Sequence, residues 1–176
     1  NRLFDDKVAI SSEFSFDGGN EGDKWYIRIR GYWISKCPDI MPILNWAESF
    51  GDTELTLGDV QQQQFQQGWM TELNPERLGH VVWGFLKNCL KGEARTLFQA
   101  EAELNGWDGW RGVVMHIRRG RHVRLATLRK QVRNPPAIKR LEDVTLGITK
   151  YENLLRDFEA AGGPPPDDME KKHCLL

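Results

Sequence analysis

Apolar residues in this chain recur every three or four positions and almost nowhere every two. That is the repeat of an α-helix face, not of a strand. It is cleanest over Val144, Ile148, Tyr151, Leu155 and Phe158, and most apolar over Leu78, Val81, Val82, Phe85, Leu86, Cys89 and Leu90. No Asn-Gly hairpin lies between β-branched runs. The fold is predicted to be all-α.

Local signals place the helices. Trp25, Ile29, Tyr32 and Trp33 give an aromatic face that Pro38 ends. Pro42 suits a first turn, and Gly51 closes the helix it opens. Gly51 to Gly58 reads as a loop, followed by a polar helix over Gln61–Gln67, since glutamine is a good helix former. Asn74-Pro75-Glu76 combines a cap, a first-turn proline and a carboxylate near the positive end of the dipole. Trp107, Trp110, Val113, Val114 and Ile117 form another stripe that Gly120 interrupts, and Leu125, Leu128 and Val132 form a basic helix stopped before Pro135. Gly162-Gly163 ends the helix after it, and Asp167-Asp168 caps a last one carrying Met169, Cys174 and Leu175 or Leu176. Ahead of all these, Phe4, Phe14 and Phe16 mark an arm that packs onto something, with Val8-Ala9-Ile10 as a short extended piece.

Asn105-Gly106 breaks the pattern near residues 101–106, so 176 residues are expected to form two small helical domains, 1–103 and 104–176. Pieces that small build only a few kcal/mol from their cores and gain by packing against copies of themselves.

Charge is distributed unevenly. The net charge is −1, yet between Gly109 and Leu141 there are ten basic residues and no acidic one: Arg111, Arg118, Arg119, Arg121, Arg124, Arg129, Lys130, Arg133, Lys139 and Arg140. The rest of the chain carries 14 basic against 25 acidic side chains. Such a block suits a polyanion, whose neutralised phosphates release counterions. It equally suits the acidic surface of a neighbouring copy, or a solvated helix face.

The chemistry-bearing residues are sparse. His80, His116, His122 and His173 lack metal-ligand spacing, there is no phosphate-binding glycine loop, and no histidine–asparagine pair supports Cys37 as a nucleophile. No enzyme, cofactor, metal site or small-molecule substrate is expected. Cys37, Cys89 and Cys174 are an odd, widely spaced set that favours a reducing compartment. The longest apolar runs fall far short of a membrane span. No signal peptide is recognisable, and because the chain opens on Asn1 and stops on Leu175-Leu176 it reads as a piece of a longer polypeptide. Among the seven tryptophans, Trp25, Trp33, Trp46, Trp83 and Trp110 lie on apolar stripes, whereas Trp69 and Trp107 stand apart and are candidates for contacts between molecules.

Several short motifs resemble the capsid region of Gag polyproteins from LTR retrotransposons of the copia-like group. Phe16-Asp17-Gly18-Gly19-Asn20 followed by Trp25 is similar to the start of the first capsid helix, and Leu90, Gly92 and Ala94 to the end of the amino-terminal domain. Asn105-Gly106-Trp107-Asp108-Gly109-Trp110 is similar to the opening of the second domain. Leu141-Glu142-Asp143-Val144 through Tyr151 and Leu154 to Gly162, and Pro166-Asp167-Asp168-Met169 through Leu175-Leu176, resemble its later helices. The family's CxxC zinc knuckle is missing. The resemblance implies a structural protein that self-assembles through five- and six-membered rings into a cytoplasmic virus-like particle enclosing retroelement RNA, without a membrane. On that reading Trp69, Trp107 and Trp110 serve self-association, the last two where the second domain bridges rings. Arg118, Arg119, Arg121 and Arg124 then hold RNA inside. The alternatives are a helical nucleic-acid-binding module that does not assemble, and a domesticated Gag-like adaptor.

Overall fold

The computed structural model describes residues 2–69, 74–99 and 103–164. It is all-α: among these residues there is no strand, only an isolated bridge between Phe16 and Leu90. Eight α-helices follow in order among the described residues: α1 (Asp6–Ala9), α2 (Gly22–Lys36), α3 (Met41–Ser49), α4 (Leu57–Gln67), α5 (Pro75–Cys89), α6 (Gly92–Gln99), α7 (Gly106–Arg133) and α8 (Val144–Ala160). The helix anticipated after Pro166 lies outside the described residues.

Caps set the boundaries. Thr56 and Asp59 form a reciprocal capping box that starts α4 at Leu57, inside the stretch expected to be loop, and Gly68 ends it at φ 60°. Asn74 accepts the Arg77 backbone N–H at 2.8 Å and starts α5. At the end of α8, Gly162 takes φ 93° while Gly163 N–H reaches the Phe158 carbonyl at 2.9 Å, satisfying carbonyls the helix leaves open. Val8-Ala9-Ile10, expected to be extended, instead belongs to α1 and its cap, because Asp5 accepts the Lys7 N–H and closes a helical turn.

The chain divides into two compact units, Asn1–Arg118 and Arg119–Leu176. The first has one core, built by Trp25, Ile29 and Trp33 of α2, Ile43, Leu44 and Ala47 of α3, the apolar face of α5, and Trp107, Trp110, Val113, Val114 and Ile117 of α7. Burying each of the larger side chains stabilises by about 1.5–3 kcal/mol. The N-terminal arm completes it. Phe4 stacks near Trp33 at a centroid distance of 5.9 Å and meets Phe85 edge-on at 5.9 Å. Phe16 stacks on Trp25 at 4.9 Å, and its backbone pairs with Cys89 and Lys91.

The second unit comprises residues 119–133 of α7, a 3-10 turn at Leu141–Asp143, and α8. Val132, Tyr151 and Phe158 are its buried apolar side chains among the described residues, and the Tyr151 hydroxyl reaches the Val132 carbonyl at 3.5 Å. Leu141 is 91% exposed, Val123 68% and Leu146 55%, so much of its apolar surface stays outside.

The unit boundary differs from the expected one at residues 103/104. Asn105 is not a linker residue: its amide nitrogen donates to the Leu55 carbonyl at 2.8 Å and its side-chain oxygen accepts the Asp108 N–H at 3.3 Å. Gly106 lies against α5, where a Cβ would come within 2.5 Å of the Trp83 nitrogen. The Asn-Gly pair thus marks a close helix crossing, not a seam. Gly120 likewise does not interrupt α7, which is continuous over 28 residues.

Candidate functional site

Two buried acids organise the polar interior of the first unit. Glu48 sits one turn beyond Leu44 on α3 and is 7% exposed. Its Oε1 accepts from Arg30 Nη1 at 2.6 Å and from the Trp110 indole N–H at 2.9 Å, while Oε2 accepts the Tyr26 hydroxyl at 2.8 Å. Burial, then the Glu48 hydrogen bond, raises the Tyr26 pKa. Asp108, 1% exposed, accepts from Arg111 Nε at 2.7 Å and from the Leu55 N–H at 2.8 Å. Arg111 Nη1 reaches the Gly51 carbonyl at 2.9 Å. Both carboxylates are turned inward onto protein donors, Glu48 joining α3 to α2 and α7 and Asp108 joining α7 to the loop before α4. Among the described residues no group of three histidine, cysteine or acidic side chains is placed to hold a metal ion. No helix there is long and apolar enough to cross a membrane.

The three tryptophans expected at contacts between molecules are not equivalent. Trp107 is fully buried; its indole N–H donates to the Pro75 carbonyl at 2.8 Å, and Gly79 leaves the space its ring fills. Trp110 is fully buried as well, stacked on Tyr26 at 5.7 Å and edge-on to Trp33 at 4.9 Å. Neither ring offers surface to a second copy of the folded chain. Both belong to the first unit rather than to a bridging second domain, because the close approach at Gly106 carries the start of α7 into that core. Trp69 is half-buried and meets Trp46 edge-on at 5.4 Å.

The four arginines expected to hold RNA also divide. Arg118 donates to the Glu48 backbone carbonyl at 3.0 Å, and its side chain is 40% exposed. Arg119 and Arg121 are exposed and Arg124 half-buried, all on the α7 stretch of the second unit. Of the ten-residue basic block, Arg111 is spent inside the first unit on Asp108. By sequence the first unit holds 12 basic and 17 acidic residues, and the second 12 basic and 8 acidic. The charge asymmetry therefore follows the division into units.

Sequence reasoning missed Phe65 and the two buried acids. Phe65 is 91% exposed in the middle of the glutamine-rich helix. The signal was present: Val60 and Gln64 share the inward face of α4, and Phe65 falls off it. Glu48 could have been found from its i+4 spacing to Leu44. No family model, curated protein or solved structure matches the chain.

Proposed function

We propose that this chain is a structural, capsid-type protein of a retroelement, which assembles with copies of itself into a cytoplasmic particle and holds RNA against its basic unit. The observation that carries the reading is the contrast between the units. The first, net acidic, closes a large core. The second, net basic, leaves Leu141, Val123 and Leu146 more than half exposed. Ile10, Ile27 and Phe65 of the first unit are also more than half exposed, so both units offer apolar side chains to contacts between copies, and it is the difference in charge that sets them apart. The sequence motifs shared with copia-like Gag capsid regions point the same way. Head-to-tail contacts between identical subunits close into rings or grow as filaments, and many small contacts add up where each alone is weak. RNA contact falls to Arg119, Arg121 and Arg124, which lie on the α7 stretch of the basic unit.

Sedimentation and negative-stain microscopy of the purified chain test this over rising concentration and salt, with and without RNA. Large closed or tubular particles are expected. A chain that stays small under all these conditions while binding RNA with steeply salt-dependent affinity would instead be a non-assembling nucleic-acid-binding module.

A further inference from the structure

The outward face of α4 carries no charged side chain. Val60 points into the core and is fully buried, with Gln63 and Gln64 half-buried beside it. The opposite side carries Gly58, Gln61, Gln62 and Phe65 at i, i+3, i+4 and i+7, all exposed. None is charged, in a chain where charged residues make up 28%. Loss of charge at the centre and an aromatic anchor are what distinguish the middle of an interface from ordinary surface. The Gly58 side of the face is open: a Cβ there would have only the Thr56 hydroxyl within 4 Å, at 3.6 Å.

From Gly58 to Phe65 the helix rises about 10 Å, and the midpoint falls between Gln61 and Gln62. Two copies of α4 laid antiparallel about a two-fold axis at that midpoint bring each Phe65 over the other's Gly58. Gln62 then meets its own counterpart at the axis, while Gln61 donates to Glu76 of α5 at 3.4 Å within its own chain. An amide both donates and accepts, so this pairing satisfies itself where two like charges would repel. We infer that the Gly58–Phe65 face of α4 is a two-fold contact between copies of this chain, with Phe65 as the knob and Gly58 as the notch. It rests on the assembly reading above and gives that assembly one of its contacts. An eleven-residue helix pair buries less than the ~1,200 Å² of stable complexes, so the contact is weak alone and acts through repetition.

The test uses the full chain and two substitutions that leave the core untouched, Phe65→Ala and Gly58→Leu, with helicity and melting compared to the parent. Each is expected to weaken dimerisation about tenfold or more in sedimentation equilibrium and to abolish or reduce particles. In a Cys174→Ser background, Gln62→Cys should cross-link to its own counterpart on oxidation far faster than Ser35→Cys. Particles formed equally well by parent and both variants would overturn the contact and leave the assembly reading standing. A parent that stops at a dimer lost in both variants would support the contact and overturn the assembly. A parent that stays monomeric throughout sinks both. Dependence on both substitutions without self-cross-linking at Gln62→Cys would rule out the two-fold arrangement.

Discussion

Gly79 of α5 and Gly106 of α7 meet backbone to backbone, so that a Cβ on Gly106 would lie 2.1 Å from the Gly79 carbonyl oxygen. A main-chain atom cannot move aside as a side-chain tip can. Gly106→Ala is therefore expected to destabilise by about 3 kcal/mol, at the upper end of overpacking costs. Gly147→Ala is the control. Its Cβ would come within 2.6 Å of Ile138 Cδ1, the flexible end of a 41% exposed side chain, and should cost under about 1 kcal/mol. Urea unfolding of the two variants gives the ratio directly, and equal costs would contradict the crossing.

Glu48 ties α2, α3 and α7 together by accepting from Tyr26, Arg30 and Trp110. Glu48→Ala leaves the Arg30 guanidinium without its buried partner and should cost about 3–5 kcal/mol. Because the Trp110 indole loses an acceptor, the tryptophan fluorescence of the folded variant should shift as well. A change below about 1 kcal/mol with an unaltered spectrum would show the network to be incidental.

Arg118 and Arg121 are three residues apart and should behave oppositely. Arg118→Gln removes a donor to the Glu48 carbonyl and is expected to lower stability by about 1–2 kcal/mol, as losing a charged hydrogen bond does. Arg121→Gln should reduce the salt dependence of RNA binding by roughly one phosphate contact. Titrations of both variants at several salt concentrations, beside their melting curves, separate the two roles.

Alkaline pH should weaken the fold. Burial raises the Cys89 thiol to about 12 from its usual 9.0, and Tyr26 is raised from 10.0. In the unfolded chain both groups lose their protons earlier, so above pH 9 the folded state binds more protons and stability falls as pH rises. The Cys89 contribution is complete below pH 9 and is lost between 9 and about 12. Cys89→Ala should flatten the slope over that window, measured as unfolding free energy against pH. An unchanged slope would mean the thiol is not protected by burial.

Periodicity made the helices legible because core faces repeat at the helical pitch. Trp25, Ile29 and Trp33, and Leu78, Val82, Phe85, Leu86 and Cys89 of α5, are buried as the spacing predicts, with Val81 half-buried. The seam failed for a physical reason. Asn105-Gly106 has the chemistry of a turn, yet the same small residue also lets two helices touch, and only the α5 backbone opposite distinguishes the cases. Trp107 followed the seam, since a tryptophan at a linker reads as surface and one at a helix crossing is core, whereas Trp110 is buried on the apolar stripe that its spacing marks. Phe65 was hidden by its setting. A lone aromatic among glutamines carries no period, and its exposure follows from Val60 fixing which way α4 faces.

The N-terminal arm has a bearing on synthesis. His116 Nε2 lies 2.8 Å from the Gly18 carbonyl, and Phe16 pairs with Leu90, so the arm finds these partners only after α5 and α7 have been made. Phe4 and Phe14 meet Phe85 and Phe16 pairs with Leu90, so these three rings are not fully covered until α5 has been made. During translation the nascent arm is therefore a sticky apolar thread, open to chaperones and to other nascent copies alike.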